Sequence, residues 1–348
     1  MWLLLVTTGG APNNTAASRS GGFIEKTAML TSLRRSFALF CAAIIGAGLV
    51  CSAADPQTGG HAAPMEIIHN KPFVMVTING KGPFRFVIDT GTGGEAFISA
   101  ELATRLSLPS AGQVTLNDPS GRGGRKVPLV SIDSLEVAGV PFTGIKAAIH
   151  DLGHADGSCD GLLGFALFRD YLLTLDYPGR RMTLASGDLL PDGERSVLPF
   201  HMPDGIPVVT LSFGAIRMDA QLDSGGMGLS IPMEFASRLK FSTDYASLSN
   251  AHSLSTRFTL MGATLAGDVH LGTYTFKRPF VEINPAFPLA NFGSAPMHAF
   301  ALCFDQRNRL VSFRAPQTTI RLTAAPVPTR LQTAPDRDPV DPRLVPLG

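Results

Sequence analysis

The sequence Phe-Val-Ile-Asp-Thr-Gly-Thr at residues 86–92 carries the strongest structural signal in this chain. It sets an aspartate, Asp89, at the end of an apolar run typical of a strand, and a hydroxyl residue and a glycine follow. A second copy, Ala-Gln-Leu-Asp-Ser-Gly, occupies residues 220–225 and contains Asp223. A single Asp-Thr-Gly is ordinary turn chemistry. Two copies in similar surroundings indicate a duplicated unit that brings two carboxylates together.

The surroundings of the two motifs repeat as well. Downstream of each lies a glycine that is followed, at the same spacing, by another aspartate: Gly164 precedes Asp176, and Gly293 precedes Asp305. These later aspartates stand at strand ends before turn residues, so we interpret them as turn formers rather than catalytic groups. A repeat of this length predicts two lobes of similar fold rather than a solenoid.

The composition of the 348-residue chain favours a globular, mostly β protein. Apolar residues make up 45%, which is enough for two cores, and glycine and proline are plentiful. Short alternating runs dominate over helical periodicity, which predicts an all-β fold. The formal net charge is +1 and only 16% of residues are charged, with no basic stripe, so we expect no nucleic-acid partner.

The N-terminal residues 1–54 are typical of a leader. Arg34 and Arg35 precede an apolar run at 37–50, and small residues follow. This pattern predicts a secretory signal peptide, with Met29 as a plausible true start. We therefore expect an exported protein, secreted or periplasmic. If the leader is not removed, its apolar run could tether the protein to a membrane.

The remaining chain divides into two predicted lobes and a tail. The N-terminal lobe is expected at residues 65–200 and the C-terminal lobe at 201–315. Residues 316–348 are rich in proline and polar residues without an apolar period, which predicts a disordered tail.

The cysteines and histidines offer little chemistry. Export would permit a disulfide between Cys159 and Cys303. They do not occupy equivalent places in the repeat, however, so we expect two unpaired, buried thiols. His150, His154 and Cys159 are metal-ligand types in one Gly/Asp-rich loop, but their spacing is no recognised zinc pattern. We expect no metal and no organic cofactor. A metal-dependent hydrolase using this loop remains an alternative, which a chelator would inactivate.

Two carboxylates a few ångströms apart permit one particular reaction. They cannot both ionise cheaply, so they share a proton. The ionised partner can take a proton from water while the protonated partner donates one to a carbonyl oxygen, and the water attacks an amide carbon directly. Thr90 and Ser224 can lock the opposite loops together, and Thr92 can donate to an outer carboxylate oxygen.

On these residues the chain resembles the pepsin/retropepsin superfamily of aspartic proteases. It is most similar to exported bacterial members with two fused lobes, over about residues 65–315. The resemblance implies a bilobal fold of two similar β-barrel lobes around a central cleft. It also implies catalytic Asp89 and Asp223, supported by further residues of the same loops: Thr90, Gly91, Thr92, Ser224 and Gly225. The expected function is that of an aspartic-type endopeptidase, a hydrolase acting in proteolysis on peptide or protein substrates.

Other family elements have counterparts here. Leu162-Leu163-Gly164 matches the apolar-apolar-Gly element beneath each loop, and Asn291-Phe292-Gly293 matches it with asparagine in first place. The resemblance implies a substrate-binding flap at residues 114–130, with its tip at Gly121, Arg122, Gly123 and Gly124. Because both lobes lie in one chain, we expect a monomer.

The chain departs from the family pattern at three points. Gly226 stands where the family has Ser or Thr, so one hydrogen bond to an outer carboxylate oxygen is expected to be missing. The first loop is one residue longer than the second, and the flap has no tyrosine. Gly226 and Asn291 raise the hypothesis of a catalytically weak or inactive protein that binds peptides or cell-envelope partners.

Overall fold

The computed structural model describes residues 5–6, 60–117, 120, 123–150, 159–252 and 257–323. These residues belong to one compact unit, made of residues 1–8 and 59–348. Nearly all of the predicted leader, the flap-tip residues Gly121 and Arg122, the loop residue His154 and residues 324–348 lie outside the described part. The described chain is mostly β, as predicted.

In the first half of the chain, the described residues form strands and one short helix. In order they are β1 (Leu5–Val6), β2 (His61–Pro64), β3 (Glu66–Ile68), β4 (Lys71–Ile78), β5 (Lys81–Asp89), β6 (Ala96–Ile98), α1 (Ala100–Arg105), β7 (Ser110–Asn117), β8 (Gly124–Val137), β9 (Val140–Ile149), β10 (Gly161–Gly164), a 3-10 turn (Phe165–Phe168), β11 (Leu172–Asp176) and β12 (Arg181–Ala185).

The second half repeats this plan. Its elements are β13 (Val197–Pro199), a 3-10 turn (Pro203–Gly205), β14 (Val208–Phe213), β15 (Ile216–Leu222), β16 (Leu229–Pro232), α2 (Met233–Ala236), β17 (Ala246–His252), β18 (Arg257–Thr264), β19 (Val269–Leu271), β20 (Tyr274–Phe276), β21 (Phe280–Asn284), β22 (Ala290–Phe292), α3 (Ser294–Met297), β23 (Ala301–Asp305), β24 (Leu310–Arg314) and β25 (Thr319–Ile320).

Each half builds its own large sheet, and the two sheets share a pattern. One has nine strands in the order β1-β7-β8-β9-β6-β10-β5-β4-β3, with a further pairing of β8 to β4. The other has ten, in the order β17-β18-β21-β16-β22-β15-β14-β19-β20-β25. In the first, β10 runs parallel to β5 and antiparallel to β6; in the second, β22 makes the same pairings with β15 and β16. The duplicated motifs therefore lie in duplicated folds.

A third sheet joins the two halves. Its six strands, in the order β13-β24-β23-β11-β12-β2, come from both parts of the chain, and its central pair is β11 with β23. Aromatic side chains from the two halves also pack together at this junction. The rings of Phe165 and Phe304 contact each other edge to face, with their centroids 5.3 Å apart. The halves are thus connected by main-chain hydrogen bonds and by a common apolar core.

The C-terminal part extends beyond residue 315. Strand β25 lies in the segment predicted as a tail and pairs in parallel with β20. Ile320 and Leu322 pack, partly buried, against the core. No helix in the described part of the chain is long and apolar enough to span a bilayer.

Candidate active site

Asp89 and Asp223 meet at the junction of the two halves. Asp89 is the last residue of β5 and Asp223 directly follows β15; both side chains are buried. The two carboxyl groups are close enough for each to shift the pKa of the other. Each aspartate also lies against the glycine of the opposite motif. A Cβ added to Gly91 would collide with the Asp223 carboxyl group, and one added to Gly225 would collide with that of Asp89. The loops therefore pack carboxyl against glycine across the interface.

Thr90 and Ser224 lock the two loops together through a reciprocal set of bonds. The Thr90 hydroxyl donates to the carbonyl of Leu222 at 2.7 Å and accepts from the Ser224 amide at 3.0 Å. The Ser224 hydroxyl donates to the carbonyl of Ile88 at 2.7 Å and accepts from the Thr90 amide at 3.0 Å. Every member is buried, so the relative position of the two aspartates is tightly determined.

The backbone of each loop also turns back on its own aspartate. The Gly91 amide donates to Asp89 Oδ1 at 2.9 Å, and the Gly226 amide donates to Asp223 Oδ1 at 2.8 Å. These bonds hold one oxygen of each carboxyl group at an equivalent place in the two halves.

The apolar-apolar-Gly elements support both loops from beneath. Gly164 pairs in register with Asp89, and the Asp223 amide donates to the carbonyl of Phe292, beside Gly293. A Cβ on Gly164 would strike the carbonyl of Gly94, and one on Gly293 would lie 2.7 Å from the carbonyl of Gly228. Only glycine permits this approach of backbone to backbone.

The extra residue of the first loop lies away from the aspartates. The amide after each supporting glycine contacts equivalent carbonyls, since Phe165 donates to Thr92 at 2.8 Å and Ser294 to Gly226 at 3.1 Å. The supporting glycines themselves reach Glu95 in the first half and Gly228 in the second. The insertion is therefore absorbed after Thr92, and the first four residues of the two loops stay equivalent.

The hydrogen bond expected to be missing at Gly226 is present, from another residue. Asn291 Nδ2 donates to Asp223 Oδ2 at 2.8 Å. A Cβ on Gly226 would lie 2.5 Å from that nitrogen, so the absence of a side chain at Gly226 leaves the space that the Asn291 amide fills. Along the sequence, Gly226 and Asn291 are two separate departures from the family pattern, but in the structure Asn291 compensates for Gly226.

The hydrogen bond expected from Thr92 is not formed. The Thr92 side chain is fully buried, but its hydroxyl has no hydrogen-bond partner among the described residues. The dyad is consequently asymmetric: an outer oxygen of Asp223 has a side-chain donor, and the hydroxyl predicted to serve Asp89 makes no bond.

Lys71 is a functional candidate that sequence reasoning missed. Strands β4 and β5 pair with Phe73 opposite Val87, and the same register extended by two residues sets Lys71 opposite Asp89. The lysine is buried, with 6% of its surface exposed. Counting back through the Asn79–Gly80 turn could have placed it there, but nothing in the local sequence distinguishes it from a surface lysine.

Electrostatics within the site favour a shared proton. Burial, and then the charge of Asp223, raise the pKa of Asp89 well above its usual value. Burial raises the pKa of Asp223 too, while hydrogen bonds from Asn291 and Asp89 oppose that rise. Burial lowers the pKa of Lys71 and the two carboxylates oppose this, so the positive charge of Lys71 in turn lowers the pKa of both. One proton, one negative charge and one lysine share the site.

The later repeated aspartates form turns, as predicted. Asp176 accepts from the Gly179 amide at 2.8 Å, and Asp305 accepts from the Asn308 amide at 3.1 Å. The residue after each reaches the opposite half: the Tyr177 hydroxyl lies 3.3 Å from the Ser294 hydroxyl, and Gln306 Nε2 donates to the carbonyl of Phe165 at 2.7 Å. These links brace the loops but do not contact the carboxyl groups.

The predicted flap region forms a hairpin. Strands β7 and β8 pair antiparallel from Ser110–Val130 to Asn117–Gly124, so Gly124 begins β8 and Gly123 precedes it. Gly121 and Arg122 lie outside the described residues, and the role of the tip stays a prediction.

The other candidates are the two cysteines and the proposed metal loop. Cys159 and Cys303 are buried and free, as expected. No cluster of metal-ligating side chains occurs within the described residues, while Asp151–Ser158, most of the proposed metal loop, lie outside them.

Comparison with known proteins points to one family. Residues 74–167 match the family model described as aspartyl protease, a span that includes Asp89, its loop and the supporting glycine. No curated protein matches the chain.

Proposed function

Because the chain belongs to the pepsin/retropepsin-like family of aspartyl proteases, we propose that it is an endopeptidase that activates water between Asp89 and Asp223. The observation that carries this proposal is that the two buried carboxyl groups are brought together at the junction, each packed against the glycine of the opposite motif. A single shared proton supplies one acid and one base, which direct attack of water on an amide requires.

The steps follow from this arrangement. The ionised carboxylate takes a proton from a water molecule as its oxygen attacks the scissile carbonyl carbon. The protonated carboxyl donates to the carbonyl oxygen, which gives a neutral tetrahedral diol without a covalent enzyme intermediate. Proton transfer to the amide nitrogen then allows the C–N bond to break. Thr90 and Ser224 contribute by keeping the two carboxyl groups at a constant separation.

Substrate and location are parts of the same proposal. An extended peptide would lie across the cleft and pair its main chain with the β7–β8 hairpin as an added strand. Since both aspartates come from one chain, a monomer suffices. The leader-like residues 1–54 support export to the periplasm or medium, with a membrane tether if they are retained.

The alternative, a catalytically weak or inactive protein that binds peptides or envelope partners, is less favoured. It rested on Gly226 and Asn291, and these two residues together supply a donor to Asp223. The hydroxyl groups of Thr90 and Ser224 also make the hydrogen bonds between the two loops that the peptidase proposal requires.

The decisive experiment replaces one carboxyl group. Asp89→Asn should abolish cleavage of an unfolded protein substrate while the protein stays folded by circular dichroism. Asp133→Asn, on the exposed side of β8, is the matched control and should cleave normally. Equal activity in Asp89→Asn would remove Asp89 from the mechanism, and wild-type protein inert at every pH from about 3 to 8 would favour the binding alternative.

A further inference from the structure

The two halves of the site differ at one pair of positions. Thr92 and Gly226 occupy equivalent places after the two Asp-x-Gly motifs, and Leu162 and Asn291 occupy equivalent places in the supporting strands. The first half thus combines the hydroxyl of Thr92 with the apolar side chain of Leu162. The second combines Gly226, which has no side chain, with the amide of Asn291.

Space couples these two differences. A Cβ on Gly226 would lie 2.5 Å from Asn291 Nδ2 and 2.6 Å from Asp223 Oδ2, both too close for real atoms. The amide nitrogen therefore stands where a side chain of residue 226 would begin. Glycine at 226 is the condition for the Asn291 bond.

Fold stability does not explain the asparagine. Its second amide atom, Oδ1, is buried without a hydrogen-bond partner among the residues the structure describes, which is a destabilising arrangement. Leu162 fills the equivalent place in the first half without any polar atom. Asn291 therefore lowers stability at a place where the equivalent Leu162 would not, and a residue retained at such a cost is expected to serve function.

The direction of the bond assigns the proton. Nδ2 can only donate, so it favours the ionised, accepting form of Asp223. The hydroxyl predicted to serve Asp89 makes no such bond. We propose that Asn291 is a positioning residue that holds Asp223 Oδ2 and keeps Asp223 as the ionised, water-activating partner, with Asp89 as the proton donor. This inference rests on the proposed peptidase function and adds a role that Gly226 makes possible.

The test removes the donor in two ways. In Asn291→Leu, which installs the residue of the first half, and in Asn291→Ala, kcat should fall about 10- to 100-fold, as for loss of one hydrogen bond to a charged group. KM should change by less than about threefold, because the bond acts on the water-activating group rather than on substrate binding. The acidic limb of the pH–rate profile should move to higher pH, since a donor that lowers the pKa of Asp223 is lost.

The matched control is Gln221→Val. Gln221 is a buried amide that pairs in register with Asn291 on the neighbouring strand, and Val87 is its equivalent in the first half. It should leave kcat and the pH profile unchanged. A thermal melt of Asn291→Leu should show no loss of stability, which separates positioning from folding. Unchanged kcat and pH profile in both Asn291 variants, or the same loss in Gln221→Val, would overturn the inference.

A measurement without turnover separates this inference from the proposed function. Carboxyl carbon NMR should show a higher pKa for Asp223 in Asn291→Leu than in the wild type. If the wild type cleaves nothing but this shift appears, the peptidase proposal fails and the positioning bond stands. If the wild type is active and neither kcat nor the pKa of Asp223 changes, the positioning role fails alone.

Discussion

Replacing Thr90 by valine tests whether the cross-linked loops hold the site together. Valine has nearly the same shape as threonine but no hydroxyl, so the substitution leaves no cavity. It removes the acceptor of the Ser224 amide and the donor to the Leu222 carbonyl, both of which are buried. Each abandoned backbone group costs about 1–3 kcal/mol, so the free energy of unfolding should fall by about 2–6 kcal/mol.

The control is Thr90→Ser, which keeps the hydroxyl and removes only a methyl group. Its expected loss is about 1 kcal/mol. Urea unfolding followed by circular dichroism compares the three proteins, and a peptide cleavage assay run beside it should show that Thr90→Val loses most of its kcat. A valine variant as stable as the serine variant would contradict the claim that these hydrogen bonds hold the two halves in place.

Two further predictions concern charges in and near the site. Lys71→Met should move both limbs of the pH–rate profile to higher pH, because Lys71 lowers the pKa of Asp89 and Asp223. The exposed Lys81→Met is the control and should leave the profile unchanged. A profile of Lys71→Met that is unchanged or shifted to lower pH would exclude an influence of Lys71 on the two aspartates. Burial raises the pKa of Glu282, on β21, from 4.5 to about 7. Its contribution to the free energy of unfolding is therefore fully present below pH 4.5, where it is protonated in both states, and is lost as the pH rises through 7. In urea unfolding, the free energy of unfolding of Glu282→Gln should therefore rise by about 3 kcal/mol relative to that of the wild type when the pH goes from 4 to 8. The exposed Glu234→Gln is the control and should show no such rise. A pH dependence of stability that runs parallel in Glu282→Gln and the wild type would contradict the prediction.

The fold class and the two aspartates could be predicted from the local sequence. Repeated motifs carry this information because a duplicated unit places equivalent residues at equivalent points of two similar sheets. The same reasoning predicted the crossing hydroxyls of Thr90 and Ser224 and the supporting glycines, since each of these sits within or directly beneath the motif itself.

The roles of side chains that reach the site from other parts of the chain depend on how the strands pack. Asn291 and Gly226 appear as two defects along the chain, and only the pairing of β22 with β15 shows that the amide fills the space above the glycine. Lys71 faces Asp89 through strand register, and Thr92 lacks its expected bond despite its place in the motif. The physical reason is that a hydrogen bond depends on a few tenths of an ångström between particular atoms, and packing of distant strands sets that distance while local sequence does not.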